Sequence, residues 1–221
     1  MKRIALICMV CMVFVSVVSG QETLEMTLIR EQSYSMDREM KLIATANLRR
    51  TIKNGNTKDE VYNILEYLAF EGILYKTMEY GRVLNNFPDV RAQVAILFGV
   101  LGTPRAQEQL VKMVNLDPDI TVLIEAIGAL GNILSANFST AVPVIAKAVR
   151  RVDFTAPNNA LAMTTLEAFE KMTARNNGVL HRDGLDLIQT IVSGSYITVV
   201  RNKARQLQLD RIRANEPGAS R

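Results

Sequence analysis

Reactive side chains are scarce in this chain. Its single histidine, His181, lies in a loop-like stretch from Asn176 to Gly184, and both cysteines, Cys8 and Cys11, fall inside an apolar N-terminal run. A closed zinc site needs four ligands from histidine, cysteine or carboxylates, and no HExxH or comparable spacing occurs. We therefore predict no metal and no cofactor, and we interpret His181 as a turn or surface residue rather than a general base.

Aspartates beside predicted helix starts are the remaining candidates for chemistry. Asp117 and Asp119 flank Pro118, and Asp89 occupies the equivalent position one unit earlier. Carboxylates that recur from unit to unit favour helix capping, because a negative charge is stabilised at a helix N-terminus. A phosphate-binding glycine loop and a Gly-x-Ser-x-Gly elbow are also missing. The sequence therefore predicts a protein without catalytic residues.

The last predicted helix is basic. It contains Arg201, Lys203 and Arg205, followed by Arg211 and Arg213. We interpret these side chains first as the solvated face that closes a repeat array. The alternative is contact with an acidic protein or with an anionic membrane surface in the cell envelope.

Four tyrosines form a second group, Tyr62, Tyr67, Tyr75 and Tyr80. Aromatic side chains are enriched at protein interfaces, but tyrosine at helical spacing is as often half-buried core. Both interpretations stay open. Tyr75 and Tyr80 join the first three basic residues as the candidate partner-binding residues.

The N-terminus predicts export. Basic residues after Met1 precede an uncharged, mostly apolar run from Ile4 to Val18, and small residues follow up to Gly20. This order is typical of a secretory signal peptide over 1–20. An uncleaved membrane anchor is the alternative, since about 17–25 apolar residues cross a bilayer. We expect a periplasmic or otherwise extracytoplasmic protein whose mature chain has no thiol.

Internal repetition indicates the fold class. Arg82–Val90 (RVLNNFPDV) matches Lys112–Ile120 (KMVNLDPDI) at an offset of 30 residues, and Phe98–Gly102 (FGVLG) matches Ile127–Gly131 (IGALG) at an offset of 29. Leu166–Glu170 is a weaker third copy. Apolar residues between these matches recur with the 3.6-residue period of a helix. The pattern predicts stacked antiparallel helix pairs, because one pair cannot bury its apolar face alone.

The repeats and capping residues together predict ten helices and no hairpin in the repeat region. The predicted helices span 37–53, 58–71, 73–86, 89–102, 104–116, 119–134, 140–152, 158–173, 183–193 and 196–213. Inside them, Gly99 and Gly128 cost about 1 kcal/mol each relative to alanine, so we expect neighbouring helices to approach closely at both.

Two end segments fall outside the predicted helices. In the linker 21–36, Leu24, Met26 and Leu28 alternate with polar residues, which favours a flexible tether or a strand that adds to a partner's sheet. The tail 214–221 is expected to be disordered.

Residues 90–119 resemble a HEAT repeat, in particular the short HEAT-like form also seen in phycobilisome-lyase-type proteins. The matching features are Val90-Arg91 at the helix start, Leu101-Gly102 near its end, Pro104-Arg105-Ala106 at the turn and Asp117-Pro118-Asp119 at the close. The resemblance is strong over 90–134, weaker over 57–89 and 158–213, and absent before about 37. It implies an all-α, armadillo-like, right-handed α-solenoid of about four to five repeats over 37–213, with the second helix of each pair lining the concave face.

These observations predict a non-enzymatic exported scaffold that binds other proteins through the solenoid surface. The alternatives are a HEAT-like lyase or other enzyme, and a nucleic-acid-binding HEAT-like protein. Residues 21–221 contain 24 basic and 22 acidic residues, far from the strongly basic, clustered charge typical of nucleic-acid binding. Fold resemblance by itself implies no chemistry.

Overall fold

The computed structural model describes residues 24–134, 138–176, 178 and 180–214, with the backbone alone for 211–214. The predicted signal peptide, its two cysteines and residues 215–221 of the predicted tail lie outside this range. The described elements are α1 (24–34), α2 (Arg38–Lys53), α3 (Asp59–Phe70), β1 (Met78–Glu79), β2 (Arg82–Val83), α4 (Pro88–Leu101), α5 (Pro104–Leu116), α6 (Ile120–Asn132), α7 (Phe138–Asp153), α8 (Asn159–Arg175), α9 (Arg182–Ser193) and α10 (Thr198–Ala214). The described chain is therefore almost wholly helical, and none of these helices is both long enough and apolar enough to cross a membrane.

The chain divides into two compact units between Ile64 and Leu65, inside α3. The single array over 37–213 stays a prediction. The repeat matches that motivated that array all lie after residue 81, so they carry no information about the first unit.

The second unit is a stack of helix pairs. Helices α4, α6, α8 and α10 pack in succession as one layer, and α5, α7 and α9 pack in succession as the other. A two-residue turn joins α4 to α5, with Gly102 in the left-handed conformation that ends α4 and Thr103 capping Ala106 N of α5. Alternating layers of this kind are the packing of a helical repeat.

Helices of one layer approach closely at two glycines. A Cβ on Gly99 of α4 would lie 2.8 Å from the Ala129 Cβ of α6, and a Cβ on Gly131 would lie 2.8 Å from the Ala168 Cα of α8. The expected close approach is thus confirmed at Gly99. At Gly128 it is absent, because a Cβ there would meet only Thr164 Cγ2 at 3.6 Å, an ordinary contact. Gly131, three residues along, is the position where α6 and α8 need glycine.

The first unit begins with a helix where we predicted a tether or an added strand. Met26, Ile29 and Ser33 of α1 are buried, at the i, i+3, i+7 spacing of one helix face. Lys41 of α2 is also buried, and its ammonium donates to the Ser33 carbonyl at 2.8 Å. The alternation of Leu24, Met26 and Leu28 is therefore coincidental, and the helical spacing is the one that burial follows.

The segment predicted as a helix over 73–86 is instead an irregular connection that carries a β-hairpin. Strands β1 and β2 pair antiparallel, with Met78 opposite Val83. Tyr80 and Gly81 form the turn, and both have positive φ, 47° and 77°. A two-residue turn with both φ values positive matches the twist of a hairpin. The repeat match misled the prediction, because RVLNN of the hairpin imitates KMVNL of the true helix α5.

Candidate protein-interaction site

The connection between α3 and α4, residues 71–87, exposes an unusual number of large apolar side chains. We call it the hairpin connection. Tyr80 at its tip is 97% exposed, Tyr75 is 52% exposed, and Leu74, Met78 and Leu84 are each about half exposed. These five residues lie within 11 positions of the sequence. Clustered exposed apolar residues typically mark interaction sites, whereas single ones are ordinary surface.

Buried polar contacts hold the base of this connection. The Asn85 side chain is buried; it donates to the Tyr75 carbonyl at 2.8 Å and to Glu71 Oε1 at 3.3 Å, and it accepts from the Thr77 amide at 2.8 Å. Gly72 lies so near the Asn85 backbone that a Cβ would be 2.6 Å from the Asn85 carbonyl oxygen. A Cβ has no room there, and a φ of +76° is a conformation that glycine adopts at little cost.

Arg91 ties the hairpin connection to the rest of the stack. Its guanidinium is 1% exposed and contacts Asp117 through Nε at 2.6 Å and Nη2 at 3.3 Å. Its Nη1 donates to the Asn86 side chain at 2.8 Å and to the Glu71 carbonyl at 3.3 Å. One buried cation thus joins both ends of the connection to the turn before α6. Removing one partner of such a pair is costly, because it leaves a buried charge uncompensated.

Helix α7 also contacts the turn that carries Asp117, the partner of Arg91. Arg151 donates to the Asn115 carbonyl in the last turn of α5 at 2.8 Å and to the carbonyl of the cap residue Asp117 at 2.7 Å, groups that lack partners at a helix C-terminus. The connections α3–α4, α5–α6 and α7–α8 therefore lie at one end of the stack. The α7–α8 connection adds an exposed aromatic side chain, Phe154, at 94% exposure.

The four tyrosines separate into core and surface. Tyr62 is buried, and Tyr67 is half-buried with its hydroxyl donating to Glu71 Oε1 at 3.2 Å. Tyr67 also stacks on Tyr75, with ring centroids 5.8 Å apart. Tyr75 therefore has one face against the body and one face in solvent, and Tyr80 is wholly in solvent. Of these four tyrosines, Tyr75 and Tyr80 are the exposed ones.

The backbone at the tip departs from the ordinary conformations. Tyr80 is the only described non-glycine residue with positive φ. For a bulky residue this conformation is costly, and such strain tends to occur at functional positions. An asparagine at this place would relieve it, yet the chain carries a fully exposed aromatic ring. The arrangement presents an apolar side chain on a rigid base, which lowers the entropy cost of binding.

The basic residues of α10 have a different status. Lys203 is half-buried and its ammonium contacts both carboxylate oxygens of Glu170, at 2.6 and 2.7 Å. Arg205 is exposed and bonds to the Asn202 side chain one turn earlier. Arg201 is half-buried, with its Nε enclosed and without a hydrogen bond among the described residues. Of these three cations, Lys203 contacts the neighbouring helix α8 through Glu170, Arg201 is partly enclosed and Arg205 faces solvent; the side chains of Arg211 and Arg213 lie outside the described part.

Helix α10 is also held at its start. The Tyr196 hydroxyl donates to the Asp153 carboxylate at the end of α7, and the Asn159 side chain accepts from the Ile197 amide at 2.9 Å. Burial raises the pKa of Tyr196 well above its usual value, and the hydrogen bond and negative charge of Asp153 add to the rise. The phenol therefore stays neutral and serves as a donor.

The histidine and the aspartates that could have served chemistry act instead as helix caps or in a buried ion pair. His181 is exposed and caps α9, accepting from the Asp183 amide at 3.2 Å. Asp119 caps α6, as predicted, through the Thr121 and Val122 amides. The same interpretation is wrong for Asp117, which is buried and paired with Arg91. Within the described ranges no group of three or more His, Cys, Asp or Glu side chains is placed to hold a metal ion.

Three features of this site were missed in the sequence. In the sequence, Arg91 and Asn85 stand out only as members of repeat patterns, and Met78 falls inside a predicted helix. One local signal is Gly81 between the β-branched residues Thr77 and Val83, because glycine favours the positive φ of a two-residue hairpin turn. No protein-family model, curated protein or solved structure matches this chain.

Proposed function

We propose that this protein is a non-enzymatic scaffold that binds another protein through the hairpin connection. The observation that carries the proposal is the exposed group around Tyr80 on a base fixed by Asn85 and Arg91. Interface hot spots are enriched in tyrosine and are strongest where the free protein already holds the bound conformation. Folding alone does not account for five large apolar side chains left in water at one loop.

The proposal includes the family and location expected from the sequence. We propose a right-handed, armadillo-like α-solenoid of short HEAT-like repeats that is exported to the periplasm or another extracytoplasmic compartment. The packing order of the two helix layers and the repeat matches support the family, and the N-terminal pattern supports export. The hairpin connection, at one end of the stack, is the part of the solenoid surface that we propose as the contact.

Site-specific photo-crosslinking tests the contact. A photoreactive phenylalanine analogue replaces Tyr80 in one variant and Leu134 in another, because Leu134 is also a highly exposed apolar residue outside the hairpin connection. We expect a discrete, saturable crosslinked product from position 80 and none from position 134. Mass spectrometry of the product identifies the partner.

A loss-of-contact variant completes the test. Tyr80→Ser removes the exposed ring and leaves the buried base intact, so the melting temperature should stay unchanged. Loss of a hot-spot side chain costs about 2 kcal/mol or more of binding energy, roughly thirtyfold in Kd. Equal crosslinking at positions 80 and 134, or full partner affinity in Tyr80→Ser, would exclude the hairpin connection as the binding site.

A further inference from the structure

The first unit contains a groove between α1 and α2, separate from the hairpin connection. Its volume is about 740 Å³, within the size range of pockets that hold small ligands. Five α1 residues, 24–26, 28 and 29, line one side, and the C-terminal half of α2 lines the other. The groove extends to Asn56 beyond the end of α2.

The α1 wall is apolar with one carboxylate. Leu24 and Leu28 are exposed one turn apart, above the buried Met26 and Ile29 that also line the groove. Glu25 lies on the same wall and makes no ion pair with any described residue. This wall is therefore complementary to a ligand that carries an aliphatic side chain next to a positive charge.

The α2 wall is polar. Asn47, Arg50, Thr51 and Asn54 line the groove at i, i+3, i+4 and i+7, which places them on one face of the helix. Arg50 donates to the Asn47 side chain at 3.0 Å and forms no ion pair within the described part of the chain. Its guanidinium therefore keeps most of its donors for another group.

A buried hydroxyl on the same wall also lacks a partner. Thr51 is buried, and its Oγ1 makes no hydrogen bond among the described residues. Threonine inside a helix commonly bonds to the carbonyl four residues earlier, so an enclosed hydroxyl without that bond is unusual. A buried polar group without a partner is destabilising, and rotation of the Thr51 side chain toward the groove would let a bound ligand satisfy this hydroxyl.

These groups match one class of ligand. A guanidinium binds a carboxylate through two parallel hydrogen bonds, and a carboxylate binds an ammonium group. The carboxamide of Asn54 offers both a donor and an acceptor, as a peptide bond does. An aliphatic acid without peptide bonds would use Arg50 and the leucines but would leave Glu25 and Asn54 without a partner.

We propose that this groove binds a short peptide with aliphatic side chains and free termini, with its carboxylate on Arg50, its ammonium end toward Glu25 and its side chains on Leu24 and Leu28. The site does not depend on the proposed role of the hairpin connection. A variant of that connection, Tyr80→Ser, should bind such a peptide as the wild-type chain does.

Calorimetric titration of the full chain with three probes tests the site. The probes are trileucine, trileucine amide, which lacks the terminal carboxylate, and octanoate. We expect trileucine to saturate the protein with a Kd below about 1 mM, and the amide to bind at least about tenfold more weakly because the charge-assisted contact with Arg50 is lost. Octanoate, which contacts Arg50 and the leucines but offers nothing to Glu25 or Asn54, should compete at least about tenfold more weakly than trileucine.

Matched variants assign the effect to named residues. Arg50→Gln should bind trileucine and its amide equally weakly, whereas Arg49→Gln, a neighbouring arginine outside the groove lining, should keep the preference. Thr51→Val should weaken binding without lowering the melting temperature, because the hydroxyl has no partner when the groove is empty. Thermal melts establish that each variant is folded.

Two outcomes would overturn the proposal. Absence of saturable trileucine binding to the wild-type chain would show that the groove is not a peptide site. Competition by octanoate as strong as by trileucine would show an aliphatic-acid site instead, with no part for Glu25 or Asn54.

Discussion

The hairpin connection and helix α10 both carry residues that the sequence indicates as contacts, but their side chains are engaged differently. In α10, Lys203 is paired with Glu170, and the helix start is bonded to Asp153 and Asn159. In the hairpin connection the polar groups are satisfied at the base, while the apolar groups face solvent. Exposed charge is ordinary surface, whereas clustered exposed apolar area on a fixed base is not. The comparison therefore favours the hairpin connection as the binding surface.

The largest effect on stability should come from replacing Arg91, which anchors the hairpin connection. Arg91→Ala leaves the buried Asp117 carboxylate unpaired, so we expect a loss of about 3–5 kcal/mol in the free energy of unfolding. Hydrogen exchange over residues 72–86 should rise at the same time. Urea denaturation and exchange mass spectrometry measure the two. Arg105→Ala is the control, because its pair with Glu66 is partly exposed and contributes about 0–1 kcal/mol; equal losses in both variants would mean that Arg91 is no anchor.

The comparable substitution at α10 is Tyr196→Phe, which removes the hydroxyl group that donates to Asp153. A hydrogen bond to a charged group contributes about 1.5–3 kcal/mol, and we expect a loss of that size with no change in exchange at the hairpin connection. Coupled exchange at both places would contradict the view that the two regions are anchored independently.

The same tyrosine predicts a pH dependence. Its pKa is raised in the folded state, so its contribution is fully present below the unfolded-state value of about 10. As the pH rises above 10, the unfolded chain releases the proton and the folded chain retains it, so the free energy of unfolding falls. Wild type should lose more stability than Tyr196→Phe between pH 9 and 11 in denaturation curves. Parallel curves would refute the raised pKa.

A smaller effect on stability is expected from the packing of α6 against α8, which is tested separately from the hairpin connection and from α10. Gly131→Ala forces a Cβ against Ala168 of α8 and should cost about 1–3 kcal/mol, as overpacking does. Gly128→Ala has room and should stabilise by up to about 1 kcal/mol through helix propensity. Melting curves of the two variants should therefore shift in opposite directions, and a shift of the same sign would show that the close approach is not at Gly131.

The smallest effect is expected for the charges of α10. Neutralising Lys203 and Arg205 together should change stability by about 1 kcal/mol or less, because exposed pairs contribute little. Crosslinking from position 80 should be unchanged. A clear drop in crosslinking would move the binding surface toward α10 and reverse the comparison.

Most of the helical architecture could be predicted, and the reasons are local. The boundaries of α4 to α6 follow from apolar period, proline placement and capping residues such as Thr103 and Asp119, all of which act within a few residues. The candidate site could be predicted only in part. Tyr75 and Tyr80 were chosen for their type, while Arg91, Asn85 and Met78 depend on contacts that the sequence does not display.

The sequence by itself therefore determined an all-helical chain of alternating layers with few reactive groups. Periodicity of apolar residues is sufficient for that, because it sets which face each helix must bury. Tertiary structure decided where glycine is needed, which of two similar segments is a helix, and which exposed residues share a surface. Gly131 rather than Gly128 lies against a neighbouring backbone. Arg91 pairs with Asp117, which is 26 residues further along the chain. Such contacts arise from the stacking of distant segments, and no local pattern encodes them.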